Sequence, residues 1–292
     1  MPTLAEVVRI LDSVYDPRWA EPWDAVGLVC GDPAAEVGRV LFAVDPVEAV
    51  VDEAVAWGAD LLVTHHPLLL KPVNGVAATT FKGRAVHQLI THGVALLTAH
   101  TNADVADPGV SDALARALGL TVVGPLLPRP DAPARGLGRL AVLPEAEPLR
   151  AFATRVASSL PATSAGVRVA GDPDRSIRLV AVCGGAGDDR ELLAAVRAAG
   201  ADAYVTADLR HHPASEAIEA GRFGAADAGP ALVDVAHWAT EWPWLSDAAA
   251  LLTTSLDGMG PDGAAGRGTV EVRVSTLVTD PWTLHTRQKY DH

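Results

Sequence analysis

The strongest constraint on this chain is that it carries nearly the same passage twice. Residues 39–66 read "RVLFAVDPVEAVVDEAVAWGADLLVTHH" and residues 178–208 read "RLVAVCGGAGDDRELLAAVRAAGADAYVTAD". Each is an apolar strand, a turn, an amphipathic helix, a "GAD" turn and a second apolar strand, and "GADLLVT" and "GADAYVT" agree at five of seven positions. The match continues from "GVALLTAHTNAD" (93–104) to "GPALVDVAHWATE" (229–241), each a short strand followed by a histidine. The period is far longer than that of a solenoid repeat, so the chain reads as two copies of one β-α-β-α-β unit. Continuous apolar runs such as Leu61–Val63 fit strands of a parallel sheet covered on both faces. The expected fold is therefore α/β: two similar units from an internal duplication, with three-layer sheets and helices on both faces.

The expected organisation has a first unit at 1–125, a connecting segment at 126–176 and a second unit at 177–256, with 257–292 packing back onto the first. Helices are expected over Val47–Trp57 and Gly83–His92 in the first copy. In the second, "DRELLAAVRAAG" and "HHPASEAIEAG" play those parts, each ending on Gly. "GPLLPRPDAPARGLG" (124–138) reads as a connection from its Pro and Gly content. The stretch after it adds a strand ("RLAVL") and a helix ("LRAFATRVASSL"). "DGMGPDGAAGRG" (257–268) reads as flexible, and "TVEVRVSTLV" alternates as an antiparallel strand should.

Chemistry-bearing residues recur where the strands end, which is where open α/β sheets bind ligands. The first copy places His65 and His66 after one strand, and His100 and Asp104 after the next. The second places Asp208 and His212, then His237 and Glu241, at corresponding positions. Each His-x-x-x-carboxylate pair is ordinary alone, and an isolated His-His pair reads as buried, hydrogen-bonded histidine. Their recurrence at equivalent strand ends favours a site. If the halves face each other, imidazole nitrogens and carboxylate oxygens would suit two divalent ions of the zinc, iron, manganese or nickel type. A helical His237–Glu241 would put both side chains on one face; for His100–Asp104 helix and loop stay open. His212 stays open between a site role and a solvated helix start. "CGGAG" (183–187) lacks the Lys of a P-loop and the spacing of GxGxxG, so it reads as a tight turn after a strand.

With these motifs in order, "WDAVGL" (23–28), "VTHHPL" (63–68), "AHTNAD", "CGGAG", "ADAYVTADLRHH" (201–212) and "AHWATE" (236–241), the chain resembles the Nif-three-like proteins over essentially its whole length. These are also known as GTP cyclohydrolase 1 type 2 homologues or dinuclear metal-centre hexameric proteins. The resemblance implies metal ligation by His65, His66, Asp104, His237 and Glu241, with His100 beside the metals or in contact with ligand. It also implies a metal-dependent hydrolase in which metal-activated water attacks a nucleotide ring. His100 or His212 would then transfer protons, and Asp208 would orient the imidazole. Three positions depart from the family pattern: Ala25 in place of Asn, and Ala207 and Ala236 in place of Gly. None removes a ligand. A metal-binding interaction protein without catalysis and a dinuclear nucleotide phosphoesterase are the alternative readings.

The net charge of −13 argues against duplex nucleic acid as partner and against an anionic membrane surface, while leaving a nucleotide substrate open. The opening residues show no secretory signal, no apolar run approaches a membrane span, and Cys30 and Cys183 form no disulfide framework. A cytoplasmic protein is expected. The resemblance implies a homo-oligomer, a hexamer. Trp238, Trp242 and Trp244, three of the chain's seven tryptophans, add a hint of an interface beside the expected ligands.

Overall fold

A strand buried on both faces needs layers above and below it, and Leu61–Thr64 is buried at every residue. This computed structural model describes residues 1–222, 229–258 and 269–286. They fall into two units: residues 1–109 with 244–279, and residues 110–243 with 280–286. The division passes through one long helix, between Pro243 and Trp244.

In the first unit α1 (Leu4–Val14), β1 (Gly27–Cys30), β2 (Arg39–Ala43), α2 (Glu48–Trp57), β3 (Leu61–Thr64), α3 (Phe81–Thr91), β4 (Ala95–Thr98) and α4 (Thr101–Val105) follow in order. In the second come α5 (Val110–Ala117), β5 (Thr121–Arg129), β6 (Ala132–Pro148), α6 (Leu149–Ser159), β7 (Arg168–Ala170), β8 (Ser176–Ala186), α7 (Arg190–Ala198), β9 (Ala203–Ala207), α8 (His211–Arg222) and β10 (Ala231–Val235). Helix α9 (His237–Gly258) crosses the division, and β11 (Glu271–Val274) belongs to the first unit.

The first sheet has the order β1-β4-β3-β2-β11 and the second β5-β6-β8-β9-β10-β7. Both contain the duplicated core: β2, β3 and β4 run parallel in sequence order, as do β8, β9 and β10. Alternate residues Leu41, Ala43, Leu62 and Leu96 share one core with Val50, Val51 and Ala54 of α2 and Ala85, Val86 and Leu89 of α3. The intervening Val40, Phe42, Leu61 and Val63 are equally buried on the opposite face. In the second sheet Ala181, Cys183, Tyr204 and Leu232 pack with α7 and α8, and Val180, Val182, Val205 and Val233 are buried opposite. No helix among the described residues is long and apolar enough to cross a membrane.

The repeated "GAD" turn has a structural task. Asp60 Oδ2 accepts the backbone N–H groups of Gly38 at 2.7 Å and Arg39 at 2.9 Å. Asp202 Oδ2 accepts those of Arg178 at 2.9 Å and Leu179 at 2.8 Å. The backbone of each aspartate extends the ladder: Asp60 N–H donates to Arg39 and its carbonyl accepts from Ala95, while Asp202 pairs likewise with Leu179 and Ala231. One residue per unit thus ties together three parallel strands on their amino-end side, at the end of the sheet opposite the strand-end histidines.

Three expectations change. The segment 126–176 is not a connection, because it supplies most of the β5–β6 hairpin, helix α6 and β7 to the second sheet. Its Pro and Gly content concealed strands: Pro125 and Pro128 lie on β5, an edge strand, where proline is tolerated. Gly136 approaches the neighbouring strand so closely that a Cβ would sit 2.0 Å from Leu127 O. The C-terminal strand β11 pairs parallel with β2, not antiparallel. Its alternation reports an edge strand covered on one face, which is independent of pairing direction. Helix α8 runs through Gly221 to Arg222 rather than ending at the glycine. Of the segment expected to be flexible, 259–268 lies outside the described residues.

Replacing Asp60 or Asp202 with Ala is expected to destabilise the protein by about 1–3 kcal/mol, the cost of stranding backbone N–H groups. Urea unfolding checks this, and a change below about 0.3 kcal/mol at both positions would contradict the assigned role.

Candidate metal centres

The first-unit site starts from the adjacency of β3 and β4. Thr64 pairs with Thr98, so the two chain segments leave the sheet side by side. His65 and His66 follow β3, their N–H groups donating to Ala43 O and Val44 O; His100 follows β4 as the residue that caps α4. Ring centroids lie 5.1 Å apart for His65–His66, 5.1 Å for His65–His100 and 5.5 Å for His66–His100. One ligand nitrogen from each of the three lies within 4.8 Å of the others.

Each ring is held at Nδ1. His65, fully buried, donates from Nδ1 to Ala99 O at 2.9 Å. His66 Nδ1 meets Asp45 Oδ1 at 2.6 Å, and Asp45 Oδ2 accepts a hydrogen bond from the Thr279 hydroxyl. His100 Nδ1 meets Asp24 Oδ1 at 2.8 Å, and Asp24 also accepts from the backbone and hydroxyl of Thr101. Burial alone would raise the Asp24 pKa, but the hydrogen bonds from His100 and Thr101 outweigh it and hold the carboxyl well below the usual range. Such partners fix the ring and tautomer of a metal-binding imidazole and direct Nε2 at the ion. Asp104 Oδ1 stands 3.7 Å from His65 Nε2. The Trp244 ring backs His65 at 5.3 Å, and Trp23 meets His100 edge-on at 6.0 Å.

In the second unit His237 opens α9 directly after β10, and Glu241 follows one helical turn later. His237 Nε2 is 2.9 Å from Glu241 Oε1, and its Nδ1 is 2.7 Å from Asp208 Oδ2. Asp208 lies just beyond β9 with φ 56°, a left-handed conformation that Asp tolerates better than most residues. Burial would lower the His237 pKa, but Glu241 and Asp208 reverse the effect and push it up to about 11. The floor is "CGGAG". It forms the irregular end of β8, where Gly185 has φ +72°, donates its N–H to Thr240 Oγ at 2.8 Å and accepts from Thr206 Oγ at 3.0 Å. A Cβ at Gly185 would come within 2.5 Å of Glu241 Oε1 and 3.2 Å of His237 Nε2. Only a bare backbone leaves room for that carboxylate–imidazole pair.

These imidazole and carboxylate donors suit a divalent transition metal, so the buried His and Glu groups could bind metal ions. His65, His66 and His100 come together, with Asp104 beside His65; His237, Glu241 and Asp208 come together in their own unit. His212 is exposed, its ring 5.2 Å from that of His211. Of the tryptophans read as an interface hint, Trp238 and Trp244 are 4% and 1% exposed, so they serve the interior of the chain and the hint loses its basis. Sequence reasoning did not assign Asp24, Asp45, Thr279 or Gly185 to the site. Asp45 carried a signal, since it follows β2 just as the histidines follow β3.

A family model, Duf34/NIF3 (NGG1p interacting factor 3), matches residues 2–277. The chain belongs to the Duf34/NIF3 family. It is 56% identical over 287 residues to a Streptomyces coelicolor protein named GTP cyclohydrolase 1 type 2 homolog, covering 98% of this chain and 95% of that one. A Mycobacterium tuberculosis protein of the same name is 40% identical over 387 aligned positions, covering 96% and 97%. That alignment is longer than the 292-residue chain, so part of the mycobacterial relative has no counterpart here. Among solved structures, a Staphylococcus aureus hypothetical protein matches with a TM-score of 0.83 at 27% identity, covering 97% of this chain and 99% of that one. A Bacillus cereus protein related to NIF3 matches with 0.84 at 24% identity over the same shares, a likeness that establishes the Duf34/NIF3 fold.

Two outcomes follow from the groups that hold these rings. Asp45→Ala is expected to weaken zinc binding about 10- to 100-fold by freeing the His66 ring. Competition with a chromophoric chelator measures this, and unchanged affinity would contradict the role given to Asp45. For metal-free protein, the folded His237 pKa of about 11 lies above its ordinary 6.5. Its ion pairs therefore stabilise the fold fully below about pH 6.5, and that stabilisation is lost as pH rises through about 11. His237→Gln should flatten this alkaline decline in unfolding experiments run against pH; an unaltered decline would refute the assignment.

Proposed function

We propose that this chain is a metal-dependent hydrolase acting on a nucleotide, with two divalent ions per chain as a dinuclear centre of the kind the resemblance implies. The donors assigned are His65, His66 and Asp104 from the first unit and His237 and Glu241 from the second. The observation that carries the reading is the cluster of two donor imidazoles, His65 and His66, with His100 beside them, one ring nitrogen of each lying within 4.8 Å of the others while oxygen acceptors occupy Nδ1. Bound ions of this type act as Lewis acids and bring the pKa of coordinated water toward neutrality. The names of the Streptomyces and Mycobacterium relatives support a purine nucleotide as substrate class.

The chain's own residues then divide the work. Asp45 and Asp24 orient His66 and His100, and Asp208 orients His237. Proton transfer is given to His100 rather than to the exposed His212. His100 can pass a proton at Nε2 while its Nδ1–H stays on Asp24, whose low pKa keeps it an acceptor. We place the protein in the cytoplasm and, on the family resemblance, in a homohexamer of about 180 kDa built from 30.3 kDa chains.

The test is turnover of GTP and other nucleotides by protein loaded separately with zinc, manganese, iron or nickel, with formate and phosphate measured apart. Formate release that falls at least about 100-fold on chelation, and likewise in His66→Ala and Glu241→Ala, is expected. Phosphate without formate would replace ring opening with phosphoester hydrolysis. No turnover by fully loaded protein would leave a metal-binding role without catalysis. Light scattering at micromolar concentration checks the assembly, and a stable 30 kDa species would refute the hexamer.

A further inference from the structure

A cavity of about 380 Å³ opens beside His66 within the first unit. Three segments wall it: the turn after β2 with Asp45, the turn after β3 with His66 and Pro67, and the start of α3 with Phe81, Lys82 and Arg84. We infer that this cavity is the nucleotide subsite, with Lys82 and Arg84 taking the phosphate chain and Phe81 stacking on the base. The inference rests on the hydrolase reading for the reaction but on separate residues for binding.

Its volume falls in the range of small-molecule sites, roughly 300–1,000 Å³. Phe81 is 79% exposed, in a chain with only 5% aromatic residues. A ring so placed at a cavity rim offers a face to a planar partner, and bases stack on aromatic side chains without regard to sequence. The Lys82 ammonium lies 5.8 Å from that ring's centroid, so cation and aromatic face are presented together. Lysine and arginine are the usual phosphate partners, arginine through its planar fork. Both sit in the first turn of α3, whose dipole also favours an anion.

Two acidic groups share the cavity. Asp45 is committed to His66 and Thr279. Glu48 lies 3.3 Å from Arg84, but both side chains are mostly exposed, and such pairs are weak enough for a multiply charged phosphate to displace. In a chain of net charge −13, Lys82 and Arg84 balance Asp45 and Glu48 in this lining, so the cavity repels an anion less than the chain's overall charge would. Because His66 forms part of the same wall, a nucleotide seated here lies alongside a proposed metal ligand.

The experiment is calorimetric binding of GTP, guanosine and pyrophosphate to full-length, zinc-loaded protein and its variants. The double variant Lys82→Ala/Arg84→Ala should bind GTP and pyrophosphate at least about tenfold more weakly, with guanosine unchanged. Phe81→Ala should weaken GTP and guanosine and spare pyrophosphate. Zinc content should be unaltered in both. GTP binding equal to wild type in both variants would overturn the subsite, as would wild-type protein that binds none of the probes. GTP turnover insensitive to these variants would overturn the subsite and leave the hydrolase. The expected binding pattern without any turnover would keep the subsite and overturn the hydrolase.

Discussion

Every imidazole in the two candidate centres is held at Nδ1 by an oxygen: Ala99 O for His65, Asp45 for His66, Asp24 for His100 and Asp208 for His237. This single interaction governs what the site can do. An imidazole pinned at Nδ1 carries its proton there when neutral and presents the Nε2 lone pair in a fixed direction. Rings arranged this way at strand ends are poised to bind metal, or in the case of His100 to pass a proton, rather than to pack a core. The surrounding structure serves the acceptors. β3 and β4 bring His65 to Ala99, Thr101 helps anchor Asp24, and Thr279, just beyond β11, anchors Asp45.

The duplication explains how such a site is built economically. Both units use the same scaffold, with an aspartate tying three parallel strands on their amino-end side while the carboxyl ends carry the chemistry. The tie is the same in both copies, and the chemical end has diverged. Where the first unit has His65-His66 after its second core strand, the second has Ala207-Asp208, and that aspartate holds the histidine of its own unit. One copy therefore supplies an imidazole cluster and the other a carboxylate–imidazole pair over a glycine floor.

The parallel cores and their strand-end histidines were legible in the sequence because local patterns determine them. Apolar runs of strand length, amphipathic helices and the "GAD" turns each signal within a dozen residues. The β5–β6 hairpin was hidden because Pro125, Pro128 and Gly136 are edge-strand and close-approach residues whose composition looks like a connection. The direction of β11 could not be read, since alternation reports which face is covered and not which neighbour pairs. Asp24 lies 76 residues from His100 in sequence, and Thr279 lies 234 from Asp45, so nothing local connects them. Gly185 looked like a turn residue, and its close approach to Glu241 emerges only when β8 and α9 meet within the second unit.

The claim that oxygen acceptors at Nδ1 direct Nε2 toward metal is tested most directly by nitrogen-15 NMR of the histidine side chains in zinc-loaded protein. Nδ1-protonated rings are expected for His65, His66 and His237, each with its Nε2 resonance displaced by zinc and returning on chelation. Rings protonated at Nε2, or Nε2 resonances indifferent to zinc, would contradict it.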